Sequence, residues 1–214
     1  METTIIPTKA RLLLADDHSI TLAGMRSVIE HEYDVVGEVA DGRSLVEAAL
    51  KSRPDVIVLD IGMPMLNGIE AARQIKKAWP AAKLLFVTMH ANLMYVRETM
   101  SSGASGYVLK TSAAEELLPA LRTICEGGTY VTPDLQSSLS DWPHGRGSEA
   151  SGLTARQREV LQLVAEGRSS KEVAKILGIA VKTAEVHRHQ LMRRLGLGSI
   201  AELAAFAVRE GIIK

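Results

Sequence analysis

Short apolar runs alternate with helix-forming segments over the first 133 residues, and this alternation constrains the fold more than any other feature. The runs are rich in valine, leucine and isoleucine, as strands buried on both faces of a parallel sheet require. They are Arg11–Ala15, Val35–Val39, Val56–Leu59, Leu84–Thr88 and Gly106–Leu109. Between them, apolar residues recur at helical spacing. The pattern predicts an α/β fold, a doubly wound five-stranded parallel sheet with helices on both faces.

The composition changes after this region, where residues 133–152 read PDLQSSLSDWPHGRGSEASG. This stretch has no helical or alternating apolar period, and its serine, glycine and proline content is typical of linkers. Only helical patterns follow it. We therefore predict a first domain over residues 1–132, a flexible linker over 133–151, and a small all-α domain over 152–214.

Capping-box patterns, in which a hydroxyl residue precedes Glu or Gln by three positions, predict several helix starts. They occur at Ser112…Glu115, Thr154…Gln157 and Ser169…Glu172. A helix over about Val181–Leu195 follows the tight turn at residues 178–180. Short helices joined by such a turn indicate helix-turn-helix geometry. The apolar stripe of a fourth helix, near residues 199–210, fits either a dimer contact or core packing.

The chain carries 25 basic and 25 acidic side chains, so its formal net charge is zero. The sum hides an asymmetry: residues 1–133 carry −3, whereas the residues from Ser151 onward carry +5. The two regions therefore have different electrostatic partners. The single cysteine, Cys125, excludes an internal disulfide. No apolar stretch approaches the ~20 residues of a membrane span, so we expect a cytoplasmic protein with no membrane partner.

Polar residues follow the predicted strands at the point where each strand ends. They are Asp16, Asp17, Asp60, Thr88 and Lys110. The carboxyl ends of parallel strands share one edge of the sheet, so these side chains should converge there. Three crowded carboxylates repel one another unless a hard cation such as Mg²⁺ lies among them. One carboxylate can then hold a phosphoryl group as an acyl phosphate, stabilised by the ammonium and the hydroxyl.

The same residues carry a family resemblance. The segments LLADDH (13–18), DIGMPMLNG (60–68), TMH (88–90) and GASGYVLK (103–110) resemble a response-regulator receiver domain over about residues 8–130. The resemblance implies a flavodoxin-like fold in which Asp60 is the phospho-acceptor. It also implies that Asp16, Asp17, Asp60 and the backbone carbonyl of Gly62 hold Mg²⁺.

Further roles follow from the same resemblance. Thr88 and Lys110 would bind the phosphoryl group, and Tyr107 matches the aromatic residue that responds to the switch. Gly62, two residues after the implied acceptor, departs from the family pattern, because glycine has no side chain to orient an attacking water. We therefore expect a long-lived acyl phosphate, unless His90 performs that role.

Residues 150–214, approximately, resemble a LuxR-type DNA-binding domain, through LTARQREVL (153–161), AEGRSSKEVA (165–174) and TAEVHR (183–188). With a receiver, this is the NarL/FixJ arrangement of response regulators. The resemblance implies that the Val181–Leu195 helix enters the major groove. Base contacts then fall to Glu185, Val186 and His189, and phosphate contacts to Lys171, Lys182, Thr183 and Arg188. Ala180 stands where the family often has serine, which removes an N-cap.

We therefore predict a phosphorylation-controlled transcription regulator, with a sensor histidine kinase, double-stranded promoter DNA and a second copy of the chain as partners. One alternative is a phosphorylation-independent regulator whose receiver serves only dimerisation or partner binding. Another is an aspartyl-phosphate hydrolase or phosphotransferase. Such enzymes place a second aspartate two residues after the nucleophile, where this chain has Gly62, so we expect no enzyme with a separate substrate.

Overall fold

The computed structural model describes residues 9–140 and 152–213, with the backbone alone at 137–140. The first part contains six strands. They are β1 (Arg11–Ala15), β2 (Asp34–Val39), β3 (Val56–Leu59), β4 (Leu84–Thr88), β5 (Gly106–Leu109) and β6 (Tyr130–Val131). The helices between and after them are α1 (Ser19–Ile29), α2 (Gly42–Ser52), α3 (Gly68–Ala78), α4 (Leu93–Ser101), α5 (Ala113–Cys125) and α6 (Pro133–Ser140). All five predicted strands are present.

The strands form one parallel sheet in the order β2-β1-β3-β4-β5-β6. Successive side chains of a strand point to opposite faces, so each strand contributes to two separate cores. Leu13, Ile57 and Phe86 lie in the core that also takes residues from α2, α3 and α4. Leu12 and Val58 lie in the opposite core, with α1 and α5. This arrangement confirms the doubly wound α/β fold.

Two predictions about the end of the first domain were wrong. The sheet has a sixth strand, β6, which pairs with β5 at Gly106 and Tyr107. The prediction missed it because two residues show no period. The predicted flexible linker also begins with helix α6, in which Leu135 is buried against the core of the first domain. Pro133 suits the first turn of a helix, where its missing N–H needs no partner. Residues 141–151 of that linker lie outside the described residues.

The second part of the chain is all-α, as predicted. Its helices are α7 (Ala155–Ala165), α8 (Ser170–Leu177), α9 (Val181–Leu195) and α10 (Ile200–Arg209). Val160, Leu161, Leu191, Leu203 and Phe206 are among the residues of its separate apolar core. Gly178, at φ +63°, ends α8 in the left-handed conformation and turns the chain into α9. This is helix-turn-helix geometry.

The predicted capping boxes have two different outcomes. Those that start α7 and α8 are present, with reciprocal hydrogen bonds between Thr154 and Gln157 and between Ser169 and Glu172. The one predicted at Ser112 is wrong. A 3₁₀ turn over Lys110–Ser112 precedes α5, and the Ser112 hydroxyl donates to the Leu109 carbonyl instead of capping the helix.

Candidate phosphorylation site and DNA-binding helix

Asp16 and Asp60 lie side by side where the strand order reverses. β1 and β3 are neighbours in the sheet, and Ala15 is in register with Leu59. The next residue on each strand is therefore an aspartate at the same height, and the Asp60 N–H donates to the Ala15 carbonyl at 2.9 Å. Both carboxylates are buried, with side-chain exposures of 1% and 3%. This reversal point is where ligands bind in open α/β sheets.

Lys110 joins the two carboxylates. Its Nζ lies 2.6 Å from Asp16 Oδ2 and 2.8 Å from Asp60 Oδ2. Burial of the ammonium lowers the pKa of Lys110, but the hydrogen bonds to Asp16 and Asp60 outweigh burial and leave the pKa raised. A permanent positive charge therefore stands beside the predicted acceptor, where it can stabilise a phosphoryl group.

The acidic cluster extends towards solvent through Asp17 and His18. One ligand atom from each of Asp16, Asp17, His18 and Asp60 lies within 4.8 Å of the others. Asp60 also accepts the Ile61 N–H on Oδ1 at 2.7 Å. Carboxylate oxygens at this spacing fit a hard divalent cation. Receiver domains bind Mg²⁺ at such a cluster. His18 is an addition to the predicted set, and its Nδ1 lies 2.9 Å from Asp17 Oδ1.

Thr88 and Tyr107 meet at the backbone of His90. Thr88 is fully buried and accepts the His90 N–H at 3.4 Å, whereas the Tyr107 hydroxyl donates to the His90 carbonyl at 2.6 Å. Burial, followed by the charge of Asp60, raises the pKa of Tyr107, so its hydroxyl stays protonated. The predicted phosphoryl ligand and the predicted switch residue are thus connected through one residue, His90.

Gly68 explains part of the motif that follows Asp60. It begins α3, and a Cβ at this position would overlap the Asp60 backbone carbonyl. Only glycine permits this approach of the helix to the strand end. The intervening residues 61–67, here called the acceptor loop, include Gly62, whose carbonyl is a predicted metal ligand.

The predicted DNA-contacting residues are accessible; all lie on α9 except Lys171, which lies near the start of α8. Val186 is 45% exposed, Arg188 is half-buried, and the others are exposed. Ala180 precedes α9 without a side-chain cap, as expected. The exposed predicted contacts, besides Val186, are Lys171, Lys182, Thr183, Glu185 and His189.

The sequence interpretation missed a set of polar residues on α7 that contact the first domain. Gln162 and Glu159 are buried, and both make hydrogen bonds across the two domains. Arg158 and Glu166 also contact the first domain. The sequence holds one indication of this contact, because polar residues interrupt the apolar face of α7. Nothing in the sequence indicates which residues they contact.

Comparison with known proteins agrees with this geometry. Residues 12–122 match the family model of the response regulator receiver domain, and residues 151–207 match that of bacterial regulatory proteins of the luxR family. The chain belongs to the NarL/FixJ family of response regulators. It is a phosphorylation-controlled, DNA-binding transcription regulator.

Individual relatives span nearly the whole chain. The transcriptional regulatory protein MctR of Rhizobium johnstonii is 35% identical over 96% of each chain. The oxygen regulatory protein NreC of Staphylococcus carnosus is 32% identical over 95% of this chain and 99% of its own. RcsB of Salmonella enterica serovar Typhimurium, solved bound to the promoter rprA with phosphomimetic BeF₃⁻, is 29% identical with a TM-score of 0.56. It covers 92% of this response regulator and 98% of its own chain. Across residues 9–140 and 152–213, no helix is both long and apolar enough to span a bilayer.

Proposed function

We propose that Asp60 is the residue of this response regulator that accepts the phosphoryl group. A carboxylate oxygen attacks the phosphorus of a phosphohistidine or acetyl phosphate, the bond to the donor breaks, and the leaving group keeps the electron pair. The observation that carries this proposal is the position of Lys110, whose ammonium bridges Asp60 and Asp16. Lys110 and the Thr88 hydroxyl then hold the transferred oxygens.

Mg²⁺ is the cofactor that suits this donor set. We assign its protein ligands to Asp16, Asp17, Asp60 and the Gly62 carbonyl. When bound, the ion neutralises the repulsion between the carboxylates and the incoming phosphoryl oxygens. Backbone N–H groups and the Lys110 ammonium already bind the buried carboxylates of Asp16 and Asp60, and these contacts hold both carboxylates in place.

The switch is assigned to Thr88 and Tyr107. A phosphoryl group on Asp60 brings about 1.5–2 negative charges next to Thr88. The Thr88 hydroxyl turns towards these oxygens. This turn changes the backbone position of His90, to which the Tyr107 hydroxyl is hydrogen-bonded. The contact between Thr88 and the phosphoryl oxygens has a different energy in the two receiver conformations. The equilibrium between these conformations shifts by that difference.

We assign α9 to the DNA major groove, with the base and phosphate contacts predicted above. The exposure of these side chains supports the assignment. Structures of the relative RcsB include dimers bound to DNA, and we propose that this protein also binds promoter DNA as a homodimer when phosphorylated. Since chromosomal DNA lies in the bacterial cytoplasm, we place the protein there. We divide the chain into a receiver that extends through α6 and a DNA-binding domain over residues 152–214.

The test is phosphorylation of the full chain by acetyl phosphate with Mg²⁺, followed by intact-mass spectrometry and binding to captured genomic DNA. Asp60→Asn should abolish phosphorylation and the phosphate-dependent gain in DNA binding. Asp34→Asn is the matched control, because Asp34 is an exposed carboxylate at the start of β2, away from the strand ends that form the site. Undiminished incorporation in Asp60→Asn would refute the assignment.

A further inference from the structure

Thr132 joins β6 to the part of β5 that leads to Lys110. It directly follows β6 and is 2% exposed. Its N–H donates to the Tyr107 carbonyl at 2.9 Å, as the parallel ladder between the two strands requires. The next bond of that ladder would join the Leu109 N–H to the Thr132 carbonyl. Leu109 directly precedes Lys110, so this bond bears on the phosphorylation site.

The Thr132 carbonyl is already used, because it accepts the first hydrogen bonds of α6. Its donors are the N–H of Leu135, at 2.9 Å, and that of Gln136, at 3.1 Å. The Thr132 hydroxyl takes the place of the carbonyl and accepts the Leu109 N–H at 3.1 Å. The side chain thus extends the ladder by one bond while the backbone turns into α6, and the Leu109 N–H keeps a partner.

Glu116 of α5 sets the direction of this hydroxyl. Thr132 Oγ1 donates to Glu116 Oε2 at 2.8 Å, and the Tyr130 hydroxyl donates to the same oxygen at 3.2 Å. A hydroxyl has one hydrogen and two lone pairs. Because the hydrogen is given to the carboxylate, a lone pair is left for the Leu109 N–H. The hydroxyl is therefore held in the orientation that Leu109 needs.

Both polar backbone groups of Leu109 are bound by hydroxyls. Its N–H donates to Thr132, and its carbonyl accepts the Ser112 hydroxyl at 3.2 Å. The Leu109 carbonyl belongs to the planar peptide group that leads to Lys110. These two bonds therefore fix the direction in which the chain leaves β5.

Lys110 needs a fixed starting point because its side chain is long and flexible. From the end of β5, its Nζ reaches two buried oxygens at once, Asp16 Oδ2 at 2.6 Å and Asp60 Oδ2 at 2.8 Å. A displacement of about 1 Å in a group that holds a reacting substrate can lower a rate by about a hundredfold. The backbone at Leu109 is the point from which the position of the ammonium is set.

The hydroxyl of Thr132 can be removed without the bonds of its backbone. The bonds that pair β6 with β5 and that start α6 use the N–H and the carbonyl, which every residue except proline has. Valine has the same branched shape at Cβ but no hydroxyl. Thr132→Val therefore removes the bonds to Leu109 and Glu116 alone.

We propose that Thr132 is a positioning residue for Lys110, whose ammonium it places beside the phosphoryl group on Asp60 by fixing Leu109. The proposal rests on the proposed role of Asp60 as acceptor. The effect of Thr132 on phosphorylation passes through the Lys110 ammonium. A change at Thr132 should therefore also weaken the ion pair that this ammonium makes with the two buried carboxylates.

The test uses the full-length wild type, Thr132→Val, Thr132→Ser, Thr132→Ala and Thr99→Val. Each protein is treated with acetyl phosphate and Mg²⁺, and the phosphorylated fraction is followed by intact-mass spectrometry. Binding of BeF₃⁻ with Mg²⁺, measured by calorimetry, reports the phosphoryl contacts without the transfer step. Thr99→Val is the matched control, because Thr99 is also buried but its hydroxyl donates to the Tyr95 and Val96 carbonyls within α4.

We expect Thr132→Val to be phosphorylated at least about fivefold more slowly than the wild type and to bind BeF₃⁻ about fivefold more weakly. Thr132→Ser keeps the hydroxyl and should match the wild type, as should Thr99→Val. A Thr132→Val rate equal to that of Thr99→Val overturns the proposal. If Thr132→Val does not fold, Thr132→Ala takes its place in every comparison, with Thr132→Ser as the reference.

A double-mutant cycle with Lys110→Met separates positioning from a structural role. Urea unfolding in EDTA measures the stability lost on Lys110→Met in the wild-type and in the Thr132→Val background. The loss should be smaller in the Thr132→Val background, because the ion pair of Lys110 is already weakened there. Equal losses in the two backgrounds overturn the proposal. Phosphorylation that persists in Asp60→Asn would instead overturn the proposed function, so the two failures are distinguishable.

Discussion

Replacing Lys110 with methionine should destabilise the receiver, because the change leaves two buried carboxylates without their shared cation. Asp16 and Asp60 have side-chain exposures of 1% and 3%, and Lys110 itself is 10% exposed. Removal of one partner of a buried ion pair typically costs about 3–5 kcal/mol. Asp17 keeps one side of the cluster open to water, so we take the lower end, about 3 kcal/mol. Methionine retains the apolar stem of lysine, which restricts the effect to the charge.

Urea unfolding in the presence of EDTA, followed by circular dichroism, measures this loss. With about 1–3 kcal/mol per molar urea for the slope, the midpoint of the receiver transition should fall by about 1–3 M. Mg²⁺ should restore part of the stability of the variant, because the ion supplies the missing positive charge. Lys83→Met is the control. The Lys83 ammonium donates to the Cys125 carbonyl. Loss of this one hydrogen bond should lower the free energy of unfolding by about 1 kcal/mol.

The pH dependence gives an independent check. The pKa of Lys110 is raised above its ordinary value of 10.5. The stability that Lys110 contributes is therefore fully present below pH 10.5 and is lost as the pH rises through the folded-state pKa. The free-energy difference between wild type and Lys110→Met should be constant from about pH 7 to 9 and shrink above pH 10.5. A loss below about 1 kcal/mol in EDTA at neutral pH would refute the reasoning.

Three further predictions concern DNA binding and the acyl phosphate. Lys182→Ala should weaken binding to all DNA sequences alike and lower the slope of log affinity against log salt by about 1, as measured by fluorescence anisotropy; a change in base preference would contradict a phosphate contact. Glu185→Ala should instead alter preference at one base pair in a selection from random DNA, and an equal loss on all sequences would make Glu185 structural. The acyl phosphate should be long-lived, because Gly62 has no side chain to orient water; a lifetime of seconds in purified protein would contradict this.

The local pattern was enough to predict the sheet and the residues at its edge. β1 and β3 read as continuous apolar runs, and each ends at an aspartate, so Asp16 and Asp60 were predictable as neighbours. The side chain of Lys110 follows β5 by the same reasoning. These predictions succeed because parallel strands place their carboxyl ends at one edge whatever the loops do.

Short or tertiary-dependent elements were not predictable in this way. β6 has two residues, and α6 depends on the burial of Leu135 against the receiver. Ser112 has a capping-box sequence, but the 3₁₀ turn that follows β5 directs its hydroxyl to Leu109. For β6 and α6, the contact that decides the conformation comes from a part of the chain that a local pattern does not include.

The sequence by itself determined that the chain has an α/β part and an all-α part, and which residues meet at the carboxyl ends of the strands, because these follow from strand periodicity, helix capping and residues at strand ends. Only the tertiary structure decided how the domains meet. Gln162 and Glu166 look like ordinary polar residues on and just after a surface helix, and their hydrogen bonds to the acceptor loop join surfaces about 100 residues apart in the chain. Complementarity between such distant surfaces is a property of the folded molecule, so no local pattern in the sequence reveals it.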